Sequence, residues 1–254
     1  MTDLIVFSVG ENKYAMSIDN VQRIIQASSL TNIPNAHDHI DGMMSYEDKV
    51  IKVLNFRKLI QMKTYEEELN NLFASLKVGH ADWVNALKLS VETGVEFTKT
   101  LNPHACGLGK WIDSFTAYED HVVTVLNKLI DFHSQLHLTG GIVLEEYAKN
   151  KEKAQEMFNE EIMSIYGHTM GALDTFTNEL DIVADSLQKF IIYEKDGSVF
   201  AIKVDAIEDI AHVSEDQMAN SQTDHDINDF LELEGVLDLD GILINIIKRV
   251  ILPK

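Results

Sequence analysis

The sequence describes a folded, strongly acidic chain of 254 residues with 45% hydrophobic residues and 3 prolines, long enough for two compact units. Its 41 acidic and 21 basic residues leave a formal net charge of −20, which argues against binding nucleic acid or an anionic membrane surface. The apolar runs are too short to span a bilayer and the first residues lack the basic region of a secretion signal. We therefore expect no membrane insertion and a cytoplasmic location. The single cysteine excludes an internal disulfide.

The first sixty residues have the alternation and turn residues of short β-strands. Residues 21–25 fit either an extended segment or a short helix, and the hydrophobic period changes from two to about 3.6 near residues 62–65. That change predicts a domain boundary. The predicted strands of this flank are residues 4–9, 13–18, 41–46 and 49–54.

Residues 65–185 have helical periodicity almost throughout. One apolar stripe runs from Leu69 to Val91, and a second helix is predicted to begin near Cys106, after the Asn102-Pro103 breaker. Residues 122–147 and 151–180 predict two long amphipathic helices. Helices of these lengths with continuous apolar stripes are typical of an antiparallel bundle.

Strand patterns return after residue 187, and the polar stretch 215–228 is predicted to be a loop. The predicted strands are residues 190–193, 199–204, 206–213, 231–239 and 242–247. Each β-rich flank is too short to bury a good core by itself, so we expect one β body interrupted by a helical insertion. The predicted division is 1–63, 64–186 and 187–254, in a multidomain α+β fold.

Four residues in the helical stretch are good zinc ligands. His133 and His137 are four apart and can present two imidazoles on one helix face. His80 and Cys106 could complete a shell of three histidines and one cysteine of the kind that structural Zn²⁺ prefers. Spacing alone does not decide this, since a lone histidine on an apolar helix face is more often a hydrogen-bonded core residue, and a lone cysteine usually packs as a small hydrophobe.

The strings around these residues resemble the chemoreceptor zinc-binding (CZB) domain, a helical bundle that holds zinc through three histidines and one cysteine. The similarity covers roughly residues 65–185 and consists of His80-x-x-Trp83-x-x-x-Leu87, Cys106-x-Leu108-Gly109-x-Trp111 and His133-x-x-x-His137. The resemblance implies that His80, Cys106, His133 and His137 bind Zn²⁺. It also implies a sensor in which zinc loss, or oxidation of the thiolate, changes the bundle.

The flanks resemble CheW, an adaptor that joins chemoreceptors to the histidine kinase CheA. The resemblance rests on Phe7-x-Val9-Gly10, Ile33-Pro34-Asn35-Ala36, Val50-Ile51-x-Val53-x-Asn55-x-Arg57-Lys58 and Gly235-Val236-x-x-Leu239-Asp240-Gly241. It implies a split double β-barrel whose partners are a CheA-type kinase and chemoreceptor cytoplasmic tips. One departure is Glu47-Asp48, where the family usually has an Arg-Gly turn, so that charge is reversed at a position associated with receptor contact.

Two other classes use zinc or iron on helices. A zinc-dependent hydrolase is the main alternative, but four protein ligands leave no open position, and Ser134 stands where a metalloprotease helix would carry its glutamate base. A di-iron bundle needs Glu-x-x-His pairs, which the sequence lacks. We therefore predict a binding and signalling protein and not an enzyme.

Overall fold

The computed structural model describes residues 2–117, 119–214, 217, 222–239 and 241–253. The chain divides into a sheet unit, formed by Met1–Tyr65 with Ala184–Lys254, and a helical unit, Glu66–Val183. The helical unit begins at residue 66, where we predicted 64, and ends at 183, where we predicted 186. The predicted fold class, an α+β chain with a split β body and a helical insertion, is confirmed.

The sheet unit contains strands from both flanks. Those of the first flank are β1 (Thr2–Val9), β2 (Asn12–Ser17), β3 (Val21–Gln26), β4 (Ile40–Tyr46) and β5 (Lys49–Asn55), followed by the short helix α1 (Phe56–Leu59). Those of the second are β6 (Lys189–Lys195), β7 (Ser198–Val204), β8 (Ala206–Val213), β9 (Gln222–Asn228), β10 (Leu231–Leu239) and β11 (Ile242–Val250).

The two flanks interleave in both sheets. The six-stranded sheet has the order β8-β1-β2-β11-β10-β9, and the five-stranded sheet has the order β3-β6-β7-β5-β4. Parallel pairing of β11 with β2 and of β5 with β7 joins strands that are far apart in sequence. Neither flank could complete its sheets alone.

One prediction in the flanks needs correction. The stretch 215–228 is not all loop, because Gln222–Asn228 forms β9 and pairs antiparallel with β10. An edge strand tolerates polar residues, and the neighbouring strand supplies its backbone partners, so polarity was a poor guide here. Residues 215, 216, 218–221 and 240 lie outside the described part of the chain. Residues 21–25, which fitted either an extended segment or a short helix, are extended in β3 and follow a 3₁₀ turn at Ile18–Asn20.

A buried ion pair lies at the centre of the sheet unit. Arg57 is 1% exposed, and its Nε and Nη2 donate to the two carboxylate oxygens of Asp205 at 2.7 and 2.6 Å. Asp205 also accepts from the backbone N–H of Gly10 at 2.7 Å and from Gln188 Nε2 at 3.1 Å. The third donor of Arg57, Nη1, bonds the carbonyl of Lys63 at 3.0 Å. The segments just before and just after the insertion are therefore tied to one charge pair.

The helical unit is made of long helices on which apolar residues recur at helical spacing. They are α2 (Tyr65–Thr93), α3 (Gly107–Ser114), α4 (Asp120–Tyr147), α5 (Lys151–Met157), α6 (Met163–Asn178) and α7 (Leu180–Leu187), the last of which ends within the sheet unit. We predicted one continuous helix over 151–180, but a π-helical turn, Phe158–Ile162, separates α5 from α6, and α6 ends at Asn178. No helix in the described residues has the length and apolarity needed to cross a membrane.

Candidate metal centre

The structure brings the four predicted ligand residues together. One donor atom each from His80, Cys106, His133 and His137 can be chosen so that all four lie within 4.8 Å of one another. The three histidines are 4%, 2% and 0% exposed respectively, whereas Cys106 is half-buried. The cluster is thus enclosed on the histidine side and meets the surface at the cysteine.

Two long helices place the histidines. His80 lies on the buried face of α2 with Leu76, Trp83 and Leu87, and His133 and His137 lie on the buried face of α4. Trp83 packs 4.9 Å from the ring of His137, centroid to centroid. Its indole also lies against Gly140, where an added Cβ would be 2.4 Å from the ring. Gly140 therefore lets Trp83 cover the cluster from one side.

The second helix, α3, begins near Cys106 as predicted, and Cys106 caps its N-terminus. Its backbone is extended, with φ −79° and ψ 166°, and its Sγ accepts the N–H of Gly109 at 3.3 Å. The turn before it comes very close, because a Cβ on Gly109 would lie 1.8 Å from the Pro103 carbonyl oxygen. Glycine at this position is thus what allows the turn that aims the sulfur at the histidines.

Backbone carbonyls determine which nitrogen of two histidines faces the cluster. His80 Nδ1 lies 2.9 Å from the carbonyl oxygen of Leu76, and His137 Nδ1 lies 3.2 Å from that of Thr100. A carbonyl can only accept, so in each neutral ring Nδ1 carries the proton and Nε2 keeps a lone pair. This support of a ring by a carbonyl partner is the usual arrangement behind metal-binding histidines.

The Thr100 carbonyl has a second role, since it also accepts the Trp83 indole N–H at 2.8 Å. The loop between α2 and α3 therefore fixes both a candidate ligand and the ring that covers it. Sequence reasoning did not identify Leu76 or Thr100 as part of the site. Both act through their backbones, which leave no signal in residue type.

The four donor atoms are of the types that Zn²⁺ prefers, and the distances between them are close to those in a zinc site. Sγ of Cys106 lies 3.1 Å from His133 Nε2 and 3.8 Å from His80 Nε2. In a tetrahedral zinc site with these ligands, neighbouring donors are about 3.3 to 3.6 Å apart. Nε2 of His137 is buried without a hydrogen-bond partner among the described residues. A cation coordinated at that point would satisfy this atom and would offset the lone pairs that face one another.

Burial keeps the imidazoles neutral and the thiol protonated when no cation is bound. It lowers the pKa of His133 to about 3, and the nearby His137, His80 and His104 act in the same direction. Burial lowers the pKa of His137 to about 4, with His80 adding to the effect and the Thr100 carbonyl opposing it. Burial also raises the pKa of the Cys106 thiol, against the effect of neighbouring backbone N–H groups and Lys110. Metal binding here would require the thiol proton to leave.

A fourth histidine, His104, lies at the surface two residues before Cys106. His104 Nδ1 is 3.0 Å from a carboxylate oxygen of Asp113, with side chains 69% and 47% exposed. Trp111 belongs to an aromatic group with Phe73, Phe115 and Phe176.

Fold and site together define an α+β protein with a β body of two sheets and a helical insertion that contains a candidate metal centre. The family model for the CheW-like domain matches residues 3–82. The match takes in the first flank and the start of α2. The resemblance of the helical unit to CZB domains stays a prediction.

Two individual proteins are similar to this chain. "Chemotaxis protein CheW" from Thermotoga maritima is 20% identical over 73 residues, which are 29% of this chain and 48% of that protein. The match thus spans about half the length of this relative. The crystal structure of "scaffolding protein TtCheW" from Thermoanaerobacter tengcongensis aligns with a TM-score of 0.44 and 14% identity, over 97% of this chain and 88% of that one.

Proposed function

We propose that this protein is a chemotaxis adaptor that couples chemoreceptor cytoplasmic tips to a CheA-type histidine kinase. We further propose that its helical unit binds Zn²⁺ through His80, Cys106, His133 and His137. The adaptor role is supported by the CheW-like match over residues 3–82 and by the name of the Thermotoga maritima relative. The zinc role is supported by one observation above all, the convergence of three imidazoles and one thiol from three separate segments.

The donor set favours a closed binding site over a catalytic one. Each donor comes from the protein, and a fourth protein ligand occupies the position that a catalytic zinc keeps open for water. Ser134 and Gln135 lie between the α4 histidines, so that helix presents no adjacent glutamate to act as a general base. We therefore favour sensing or structural binding over hydrolysis.

The sensed signal in this proposal is zinc itself or an oxidant that attacks the thiolate. Zinc binding converts the thiol of Cys106 into a thiolate, the form that oxidants attack. Loss of the ion would leave four facing donor groups in a closed space. Within the sheet unit, the Arg57–Asp205 pair bonds Lys63 and Gln188, which lie just outside the two ends of the insertion.

Metal analysis of the purified full chain tests the zinc role. We expect about one Zn²⁺ per chain in the wild type, and loss of binding in Cys106→Ser, which keeps the side-chain volume but removes the thiolate. His121→Asn is a matched control, because His121 is an exposed histidine of the same unit paired with Glu179 at 2.9 Å. Zinc-free wild-type protein from zinc-replete cells would contradict the proposal.

Co-sedimentation with membranes that contain chemoreceptors and the kinase tests the adaptor role. We expect the full chain to sediment with these membranes. We also expect the amount that sediments to change when zinc is removed. Equal incorporation of the zinc-loaded protein and the Cys106→Ala variant would remove the sensor part of the proposal and leave a plain adaptor. Failure of both proteins to sediment with the assembly would contradict the adaptor role.

A further inference from the structure

The surface beside Cys106 carries a pair of residues that the four-ligand site does not use. His104 and Asp113 are both exposed, and the two carboxylate oxygens of Asp113 lie 3.0 and 3.1 Å from Nδ1 of His104. An imidazole held in this way by a carboxylate is a common arrangement in zinc sites. A carboxylate only accepts, so Nδ1 carries the proton and Nε2 is the ring atom with a lone pair for a metal.

Cys106 is where the cluster reaches the surface, two residues after His104. The three histidines of the cluster are nearly or fully inaccessible, and Cys106 is the one member that reaches the surface. Residues 102–105 form a tight turn immediately before it, in which the N–H of Ala105 donates to the Asn102 carbonyl at 3.1 Å. The same turn holds the His104 backbone, whose N–H donates to Asn102 Oδ1 at 3.0 Å. The backbone of His104 is therefore fixed in the turn that leads directly into the exposed member of the cluster.

We propose that His104, held by Asp113, is a loading and release ligand for Zn²⁺, which takes the ion at the surface and passes it to Cys106 and the buried histidines. This inference rests on the proposed zinc site and concerns how fast that site exchanges its ion. Exchange through a surface ligand replaces one bond at a time, so the ion is never stripped of all its ligands. The nearness of the His104 ring to the cluster also contributes to the lowered pKa of His133.

The alternative role for the pair is mechanical, since the contact between His104 and Asp113 also joins the turn to α3. A mechanical role predicts that removing the ring would loosen the Cys106 turn, weaken zinc binding and speed its release. A loading ligand predicts slower loading and slower release at nearly unchanged affinity. The two roles therefore move the release rate in opposite directions.

The experiment measures the rates of zinc loading and zinc release in the full chain. Loading is followed by tryptophan fluorescence after metal-free protein is mixed with Zn²⁺, and release by transfer of zinc from loaded protein to excess EDTA. His104→Asn keeps a side-chain amide for Asp113 but lacks the imidazole. We expect it to slow both rates by about tenfold, a factor of the size that supporting residues contribute at zinc sites, with a change in Kd below about threefold, or less than 1 kcal/mol. Asp113→Asn should slow both rates by a smaller factor.

His121→Asn, which removes the other exposed histidine–carboxylate pair of this unit, is the control and should leave both rates unchanged. Rates for His104→Asn equal to those of the control, or faster release with weaker affinity, would overturn the inference while the zinc site stands. Wild-type protein that binds no zinc would overturn the proposed site and this inference together.

Discussion

The two units both have buried polar groups at their centres, but only the sheet unit neutralises its own. Arg57 and Asp205 match charge for charge, and their oxygens and N–H groups bond each other, Gly10, Gln188 and Lys63. In the helical unit, by contrast, the inward-facing nitrogens of His80 and His137 are both acceptors, and that of His137 has no partner in the described residues. Buried opposite charges that bond each other stabilise a fold, although Gln188 Oε1 beside them also lacks a partner in the described residues. Buried ring nitrogens that face one another are instead suited to bind a cation.

Removal of zinc should produce the largest effect and affect the helical unit first. Structural zinc contributes on the order of 10 kcal/mol in small zinc-binding peptides, and a bundle with its own apolar core should lose a part of that. Trp83 and Trp111 both lie in the helical unit, so tryptophan fluorescence during urea unfolding reports on it selectively. We expect a clear fall in its unfolding midpoint after chelation. An unchanged midpoint would mean that the cluster is satisfied without an ion.

Breaking the Arg57–Asp205 ion pair should cause the next largest loss of stability. Arg57→Met leaves the Asp205 carboxylate buried without its partner and should destabilise the sheet unit by about 3 to 5 kcal/mol. Lys13→Met is the matched control, because it removes an exposed pair with Glu208 at 3.0 Å and should cost less than about 1 kcal/mol. Unfolding followed by near-UV tyrosine circular dichroism checks both. Similar losses for the two variants would contradict the comparison between the units.

Alanine substitutions at three glycines test how closely the helical unit packs around the candidate metal centre. Gly109→Ala would press a methyl group against the backbone oxygen of Pro103, which cannot yield without moving the Cys106 turn. We expect weakened zinc binding and a loss of about 2 kcal/mol or more. Gly140→Ala meets the Trp83 ring and should have a smaller effect.

Gly79→Ala is the control in that series, since nothing lies within 4 Å of the added Cβ and alanine favours the helix by about 0.8 to 1 kcal/mol. It should stabilise the unit and leave zinc affinity unchanged, as measured by thermal unfolding and by competition with a chelator. A gain in stability from Gly109→Ala would show that the turn is not held against α3 as described.

The pH dependence of the metal-free protein tests the buried histidines directly. His133 and His137 have folded-state pKa values of about 3 and about 4, below the ordinary value of 6.5. The unfolded chain therefore binds more protons, and stability should fall as pH drops below about 6.5 and continue to fall towards about 4. Unfolding midpoints of the metal-free protein at several pH values check this. A variant with both histidines replaced by glutamine should lose most of the slope.

The resemblance to two families was enough to predict the four candidate ligands and most of the fold. The change of period near residue 62 located the start of the insertion, because helices and strands impose different spacings on apolar residues. The candidate ligands were predicted from their residue types and from the strings around them. The loop predicted for 215–228 and the unbroken helix predicted for 151–180 were wrong in part, since strand pairing and a π-helical turn depend on neighbours that are distant in sequence.

The sequence by itself determined which groups and segments the protein contains. These are one thiol, a pair of histidines four apart on a helix, an excess of acidic residues and two β-rich flanks. What only the tertiary structure decided was the role of groups that residue type does not reveal. The carbonyls of Leu76 and Thr100 set which nitrogen each ring turns inward, and the approach of Pro103 to Gly109 sets the direction of the sulfur. The physical reason is that every residue has the same backbone carbonyl, so only folding decides which of them comes to lie behind a ligand.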